Sequence, residues 1–199
     1  MPGVALHPIL SAMPASSLKN HFLIAMPGLD DPNFSRTVTY ICDHDENGAM
    51  GIVINRPSEL NLADVLEHMG IDNHDPVTSD QIVYIGGPVQ EERGFVLHSP
   101  NSGDWKSSIA VTDDIGITTS RDILEAMALG QGPAKSLVAL GYAGWGAGQL
   151  EAEIKDNAWL SGPADAAVLF DLPPDQRWSA AARIIGVEVA LMSNDAGHA

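Results

Sequence analysis

Basic side chains are scarce. Ten Lys and Arg stand against 26 Asp and Glu in 199 residues, giving a formal net charge of −16 and a pI near 4.5. Such a field repels phosphate backbones and anionic bilayers, so direct nucleic-acid binding and a membrane-surface role are disfavoured. Cysteine is scarcer still: Cys42 stands alone and cannot form an internal disulfide, so nothing calls for an oxidising compartment. No run of about 18 apolar residues occurs, which argues against a membrane-spanning helix. The first twenty residues lack the cationic start and apolar stretch of a secretory signal. These absences lead us to expect a soluble, cytoplasmic protein.

Catalytic signatures are missing as well. There is no G-x-S-x-G elbow, no H-E-x-x-H, no C-x-x-C pair and no zinc-spaced Cys/His cluster. Cys42 and His44 offer two metal ligands at most, and no cofactor is expected. Cys42 also sits among carboxylates, which disfavour a thiolate, so it reads as a packed side chain. Trp105, Trp145, Trp159 and Trp178 are dispersed and lack a basic stripe, so a base-stacking platform is unsupported.

What is present describes a folded chain. Hydrophobic residues make up 45% and charged ones 18%, and a domain of this length buries roughly 70% of its unfolded surface. Residues 1–19, rich in proline early on, read as a flexible lead-in, and 20–199 as one domain. Strand patterns cover His21 to Met26, Arg36 to Cys42, Ala49 to Asn55, Gln81 to Ile85, Gly94 to His98, Ser108 to Thr112, Ser136 to Tyr142 and Ala166 to Phe170. Asn47-Gly48 marks a tight hairpin. Helical spacing follows Asn61 and stops at Gly70. It returns behind a capping box at Thr119-Ser120-Arg121-Asp122, then over Gly148 to Asp156, and from Pro173-Pro174 to Ile185. Strands outnumber helices and several are hairpin-linked, which predicts a single α+β domain without repeats.

Four local patterns bear on function. Asp43 to Gly48 has the oxygen donors of half a calcium loop, but Ile54 occupies the position where a bidentate glutamate is needed, so a solvated hairpin turn is the better reading. Gly141-Tyr142-Ala143-Gly144-Trp145-Gly146-Ala147-Gly148 lies between a strand and a helix, a place where backbone amides can approach an anion. It lacks the GK[ST] ending of a phosphate cradle, and Glu151 replaces the third small residue of a dinucleotide fingerprint. Arg56 and Arg93 sit in tight turns and are candidate anion forks, with pairing to the abundant carboxylates as the alternative. His98 ends a strand beside Ser99 and has the chemistry of a base, but no partner is identifiable in sequence.

Three blocks, HFLIAMPGLDDPNFSRTVTYICDHDENGAMGIVINRP (His21 to Pro57), GGPVQEERGFVLH (Gly86 to His98) and SLVALGYAGWGAGQLEAEIKDNAWL (Ser136 to Leu160), resemble the AlgH/YqgE family. The closing Ala196-Gly197-His198-Ala199 fits that family's ending. The resemblance implies a compact α+β domain, its bifurcated, mostly antiparallel sheet curled into a pseudo-barrel with flanking helices. It also implies a bacterial cytoplasmic protein. The family has no established biochemical activity, and some members are described as transcriptional regulators through an association with alginate, an exopolysaccharide. No catalytic residue is carried over. The matching motifs cover Asn55, Arg56, Gly86, Gly87, Arg93, Gly141, Gly144, Trp145, Gln149, Glu151, Asn157 and Trp159.

The expectation drawn from residues and resemblance together is a regulatory binding protein acting through a protein partner or a small ligand, and not an enzyme. The alternative is a nucleotide- or anion-binding protein, or an enzyme, with its site near Gly141 to Gly148. Its candidate ligand-binding residues are Asn55, Arg56, Arg93, Gly144, Trp145, Gly146, Gln149 and Glu151. A third reading is an oligomer with a tryptophan- or methionine-lined interface; the sequence leaves oligomeric state open.

Overall fold

The computed structural model describes residues 16–100 and 103–188; most of the lead-in and the closing Ala196 to Ala199 motif lie outside the described residues. The described residues open with β1 (His21–Ala25), β2 (Val38–Asp45) and β3 (Gly48–Val53), an antiparallel run whose apolar residues are buried except for the half-buried Ala49 and Met50. The β2–β3 turn differs from the expected one. Positive φ falls on Gly48 alone, at 139°, and a Cβ there would lie 2.1 Å from the Trp145 carbonyl oxygen. Glycine is therefore required here by the neighbouring strand as well as by the turn.

β4 (Pro57–Asn61) leads into α1 (Leu62–His68), where Asn61 and Asp64 form a reciprocal capping box. After α2 (Pro76–Ser79) come β5 (Ile82–Ile85), β6 (Val89–His98), β7 (Ser108–Ala110) and β8 (Gly116–Thr118). α3 (Arg121–Ala128) starts at Ser120, but the expected side-chain cap does not form; the Ser120 hydroxyl donates to Asp122 instead. β9 (Ser136–Gly146), α4 (Gln149–Lys155), β10 (Trp159–Pro163), α5 (Ala166–Phe170) and α6 (Pro174–Ile184) complete the fold.

Two elements depart from the sequence reading. Ala166–Phe170, expected as a strand, is a helix, because the Asp165 carboxylate accepts from the Val168 amide and caps it. β9 runs four residues beyond Tyr142, so Gly141 to Gly146 is strand paired with β3 and β6, and not a loop.

The ten strands form one sheet: eight follow the order β10-β1-β2-β3-β9-β6-β8-β7, and β5, with β4 paired to it, branches off β9. It bifurcates at β9. On one side β9 pairs with β6; on the other its first half pairs parallel with β5, and its second half antiparallel with β3. Where the branches part, Gly86 donates to the Leu140 carbonyl and accepts from the Val53 amide. A Cβ on Gly87 would lie 2.1 Å from the Tyr142 carbonyl carbon, and one on Gly141 2.4 Å from the Gly87 oxygen. Gly86, Gly87 and Gly141 thus serve a close crossing of backbones.

Curling the sheet gives helices on both faces. α5 and α6 pack on Phe22, Ile24, Tyr40, Ile52 and Leu97, while α1 and α3 cover Val83, Val96 and Val138 from the other side. α4 closes a third cluster around Trp145, Leu150 and Trp159. Arg177 of α6 is buried, its guanidinium donating to the Ile54 and Leu172 carbonyls and lying 5.0 Å from the Tyr84 ring centroid. The result is a single α+β domain whose mostly antiparallel sheet curls into a half-barrel. Among the described residues no helix is long and apolar enough to cross a membrane.

Candidate functional site

A cleft of about 750 Å³ opens where β3, β9, β6, β8 and β7 lie side by side. Its floor is Met50, Tyr142, Phe95 and Ile117, with Tyr142 and Phe95 edge to face at 5.7 Å. Alternation along the strands sends these residues to one face, which is why a floor can be built from four separate strands. Asp43, Asp45 and Asn47 of the β2–β3 hairpin form one wall. Asp45 is occupied there, accepting from the Asn47 amide and side chain.

The lining also carries two cations, Arg93 of β6 and Lys106 just before β7. The Arg93 guanidinium lies 5.4 Å from the Phe95 ring centroid and donates to Gln90. Its neighbours Glu91, Glu92 and Gly94 line a different groove, between α1 and α3. Among the described residues neither Arg93 nor Lys106 has a carboxylate within ion-pair distance, whereas Arg121 pairs with Glu125 and Lys135 with Asp171. The cleft thus brings together the Asp43 and Asp45 carboxylates, the Arg93 and Lys106 cations and an apolar floor.

Of the eight residues singled out in sequence, Arg93, Gly144 and Trp145 line this cleft. The other five lie elsewhere. Asn55 accepts from the Val38 amide and donates to the Arg36 carbonyl. Arg56 donates to the carbonyls of Pro32, Asn33 and Ser35. Together they fasten the segment between β1 and β2, and carbonyl bonding rather than carboxylate pairing is what occupies Arg56.

Gly146 and Gln149 belong to a second network. Gln149 accepts from the Gly146 amide and donates to Glu153. One Glu153 oxygen accepts from both indole N–H groups, Trp145 at 2.8 Å and Trp159 at 2.9 Å. These two indoles are buried and stack edge to face on each other, with Phe34 alongside. They form core, and so offer no exposed interface.

Glu151 accepts from the buried His44 at 2.7 Å. Its own backbone N–H and the His44 Nε2–H hold its carboxyl below the usual glutamate range. The other His44 nitrogen, Nδ1, accepts from the Leu18 amide at 2.8 Å, and Ser17 donates to the His44 carbonyl. Cys42 is buried, and burial pushes its thiol well above the usual range. Sequence reading missed Lys106, Phe95 and Tyr142, since only the curl of the sheet brings β6, β7 and β9 onto one cleft. Among the described residues no group of three or more His, Cys, Asp or Glu is placed to hold a metal ion.

Comparison with known proteins gives this architecture a lineage. A family profile described as AlgH-like matches residues 22–190. The chain belongs to the AlgH-like family. A UPF0301 protein of Thioalkalivibrio sulfidiphilus is 63% identical over 185 residues, covering 93% of this chain and 98% of the relative. The UPF0301 protein AlgH of Pseudomonas aeruginosa is 57% identical over 183 residues, covering 92% and 96%. The solution structure of that AlgH protein superposes with a TM-score of 0.75 over 99% of this chain and 100% of its own, at 54% identity in the structural alignment. A crystal structure of a Corynebacterium diphtheriae protein, 19% identical with a TM-score of 0.69 over 92% and 94%, shares the fold. AlgH-like membership accounts for the three sequence blocks, which supply the β1–β3 unit, the Gly86-Gly87 crossing and β9 with α4.

Proposed function

We propose that this AlgH-like chain is a regulatory binding protein that takes a small anionic ligand in the β3–β7 cleft and passes its occupancy to a protein partner. The observation that carries this reading is Arg93, which bonds Gln90 and, among the described residues, no carboxylate, and which lines the cleft together with Lys106 in a chain of net charge −16. The neighbouring Glu91 and Glu92 line the separate groove between α1 and α3, and the Arg93 guanidinium meets the Gln90 side chain and not a carboxylate. The ligand's anionic group meets Arg93 and Lys106, a ring or apolar body rests on Phe95 and Tyr142, and a hydroxyl or amine faces Asp43. A nucleotide or sugar phosphate has this layout. A regulatory role in exopolysaccharide production is supported by the family resemblance, and the acidic surface favours control through a partner over direct contact with DNA.

The test is a thermal-shift and calorimetric screen of nucleotides, sugar phosphates and dicarboxylates against wild type and Arg93→Ala. A ligand that binds the folded state raises the melting temperature. The proposal expects at least one anionic compound to do so in wild type and to lose at least tenfold affinity in the variant. Absence of any shift, or equal shifts in both proteins, contradicts it.

A further inference from the structure

β6 presents a different lining to each face of the sheet. Arg93 and Phe95 line the cleft described above, while Glu92, Gly94 and Val96 line a second groove of about 630 Å³ between α1 and α3, a volume suited to a small molecule. Strand register builds its floor. Val96 pairs with Val138 and Gly94 with Leu140, so these four positions of β6 and β9 lie side by side. Val65 and Met69 of α1 form one wall and Leu124 of α3 the other. Val96, Val138 and Leu124 are buried, whereas Val65, Met69 and Leu140 are only half-buried. The walls are held by the fold itself. Arg121 of α3 donates to the Met69 carbonyl at the end of α1 at 2.7 Å, and the Asn61–Asp64 capping box fixes the other end of α1.

Gly94 has no structural reason to be glycine. In a strand, glycine weakens the element, and a positive φ, a bulge or the close approach of another group is what calls for it. The φ of Gly94 lies outside the left-handed region, and the residue pairs with Leu140 where the β6–β9 register resumes after its irregularity. A Cβ built on it would meet nothing within 4 Å. Gly86, Gly87 and Gly141 answer to crossing backbones; at Gly94 the missing side chain provides only space, and that space is in the groove.

Charge selects what can fill it. Glu91 and Glu92 are exposed and line the groove, and among the described residues neither bonds a cation. Asp64 adds a third carboxylate. Arg121, also in the lining, is already paired with Glu125 at 2.7 Å, and His68 is exposed on α1.

We infer that this groove is a binding site for a small hydrophobic amine, its apolar body laid over Leu140 and Gly94 between α1 and α3 and its ammonium group at Glu91 and Glu92. The two faces of β6 select opposite charges. The site stands apart from the anionic-ligand reading, because neither Arg93 nor Lys106 lines this groove.

The test compares two probes that share a ring and differ in charge, naphthylethylammonium and naphthylacetate, by proton–nitrogen NMR titration of the full-length protein at neutral pH. The cation should shift the amides of Val65, Met69, Gly94 and Leu140 saturably, and bind there roughly tenfold more tightly than the anion. Glu91→Gln combined with Glu92→Gln should weaken the cation roughly fivefold, the scale of two exposed charge pairs, without weakening the anion. Gly94→Val places a strand-compatible side chain in the groove and should remove binding there while the denaturation midpoint is kept. No saturable shift at those amides up to the solubility of the amine, equal affinity for the two probes, or unchanged binding in either folded variant overturns the proposal. So do shifts at the same amides on dilution of the protein alone, which would make a second copy of this chain the occupant.

Discussion

His44 in β2 and His98 at the end of β6 are both buried, and both rings bond a partner at each nitrogen. What differs is the kind of backbone group that meets Nδ1. At His44 it is an amide N–H, from Leu18, which can only donate; Nδ1 must be bare, and the Nε2 proton goes to Glu151. At His98 it is a carbonyl, from Ser99, so Nδ1 carries the proton and Nε2 is free to accept. Adding a proton to His44 would set two N–H groups against each other and break the tie to Leu18. The first ring clips the residues before β1 to β2, and the second ties the end of β6 to Thr118 of β8.

Several substitutions sharpen or break that contrast. The largest effect is expected from His44→Ala, which orphans the Leu18 amide and removes the Glu151 partner. Losing a buried hydrogen-bonded side chain of this kind costs about 2–4 kcal/mol, to be read by urea denaturation. Amide exchange should quicken at Leu18, whose N–H loses its acceptor. An unchanged denaturation midpoint would remove the clip from the account. Thr118→Val comes next, at about 1–2 kcal/mol for buried groups left without a partner. Because Val fills the same space, the loss reports the Thr118 hydroxyl's bonds to His98 and Ser108 and not a cavity.

Glu151→Gln is a smaller and more discriminating change. The amide oxygen still accepts from His44 Nε2, so the loss at neutral pH should stay within about 1 kcal/mol, the usual value of a hydrogen bond. The pH response should change. Glu151 is held below its ordinary range in the fold, so its stabilising contribution is present above the unfolded-state value and lost as pH falls through the lower folded value. That acid-side loss should be reduced in Glu151→Gln, measured as denaturation midpoints between pH 6 and pH 3. The smallest effect on stability is expected for Arg93→Ala, within about 0.5 kcal/mol for a surface position, whereas anion binding at the cleft should drop. A large stability loss there would mean that Arg93 is structural after all.

Much of the fold was legible before the structure. The Asn61 cap, the apolar β1 and β9 segments and the Pro174 helix start carry their signals locally. β10 did not, because Trp159–Pro163 is short and holds both glycine and proline; it is a strand because β1 pairs with all five residues. Ala166–Phe170 is apolar throughout and too short for periodicity to separate strand from helix, and the Asp165 cap decided it. The glycine-rich stretch looked like an anion loop because sequence shows glycines but not what lies beside them. Gly87 and the Tyr142 carbonyl are 55 residues apart in sequence, and their contact is a property of the fork.

The candidate site was readable only in pieces. Arg93, Gly144 and Trp145 line the cleft, while Asn55, Arg56, Gln149 and Glu151 share their block with site-lining residues but bond to loop carbonyls, to Glu153 or to His44. Residue type cannot say whether an arginine meets a carbonyl, a carboxylate or open cleft. Nor can it say which nitrogen of a histidine carries the proton. That depends on whether an amide or a carbonyl arrives from elsewhere in the chain.

The contrast between the two histidines can be measured directly by long-range proton–nitrogen NMR of the imidazole rings at neutral pH, with His44→Gln and His98→Gln used for assignment. The account predicts opposite tautomers, the proton on Nε2 in His44 and on Nδ1 in His98, each in a single form. Finding the same tautomer in both rings, or His98 with its proton on Nε2, would contradict it.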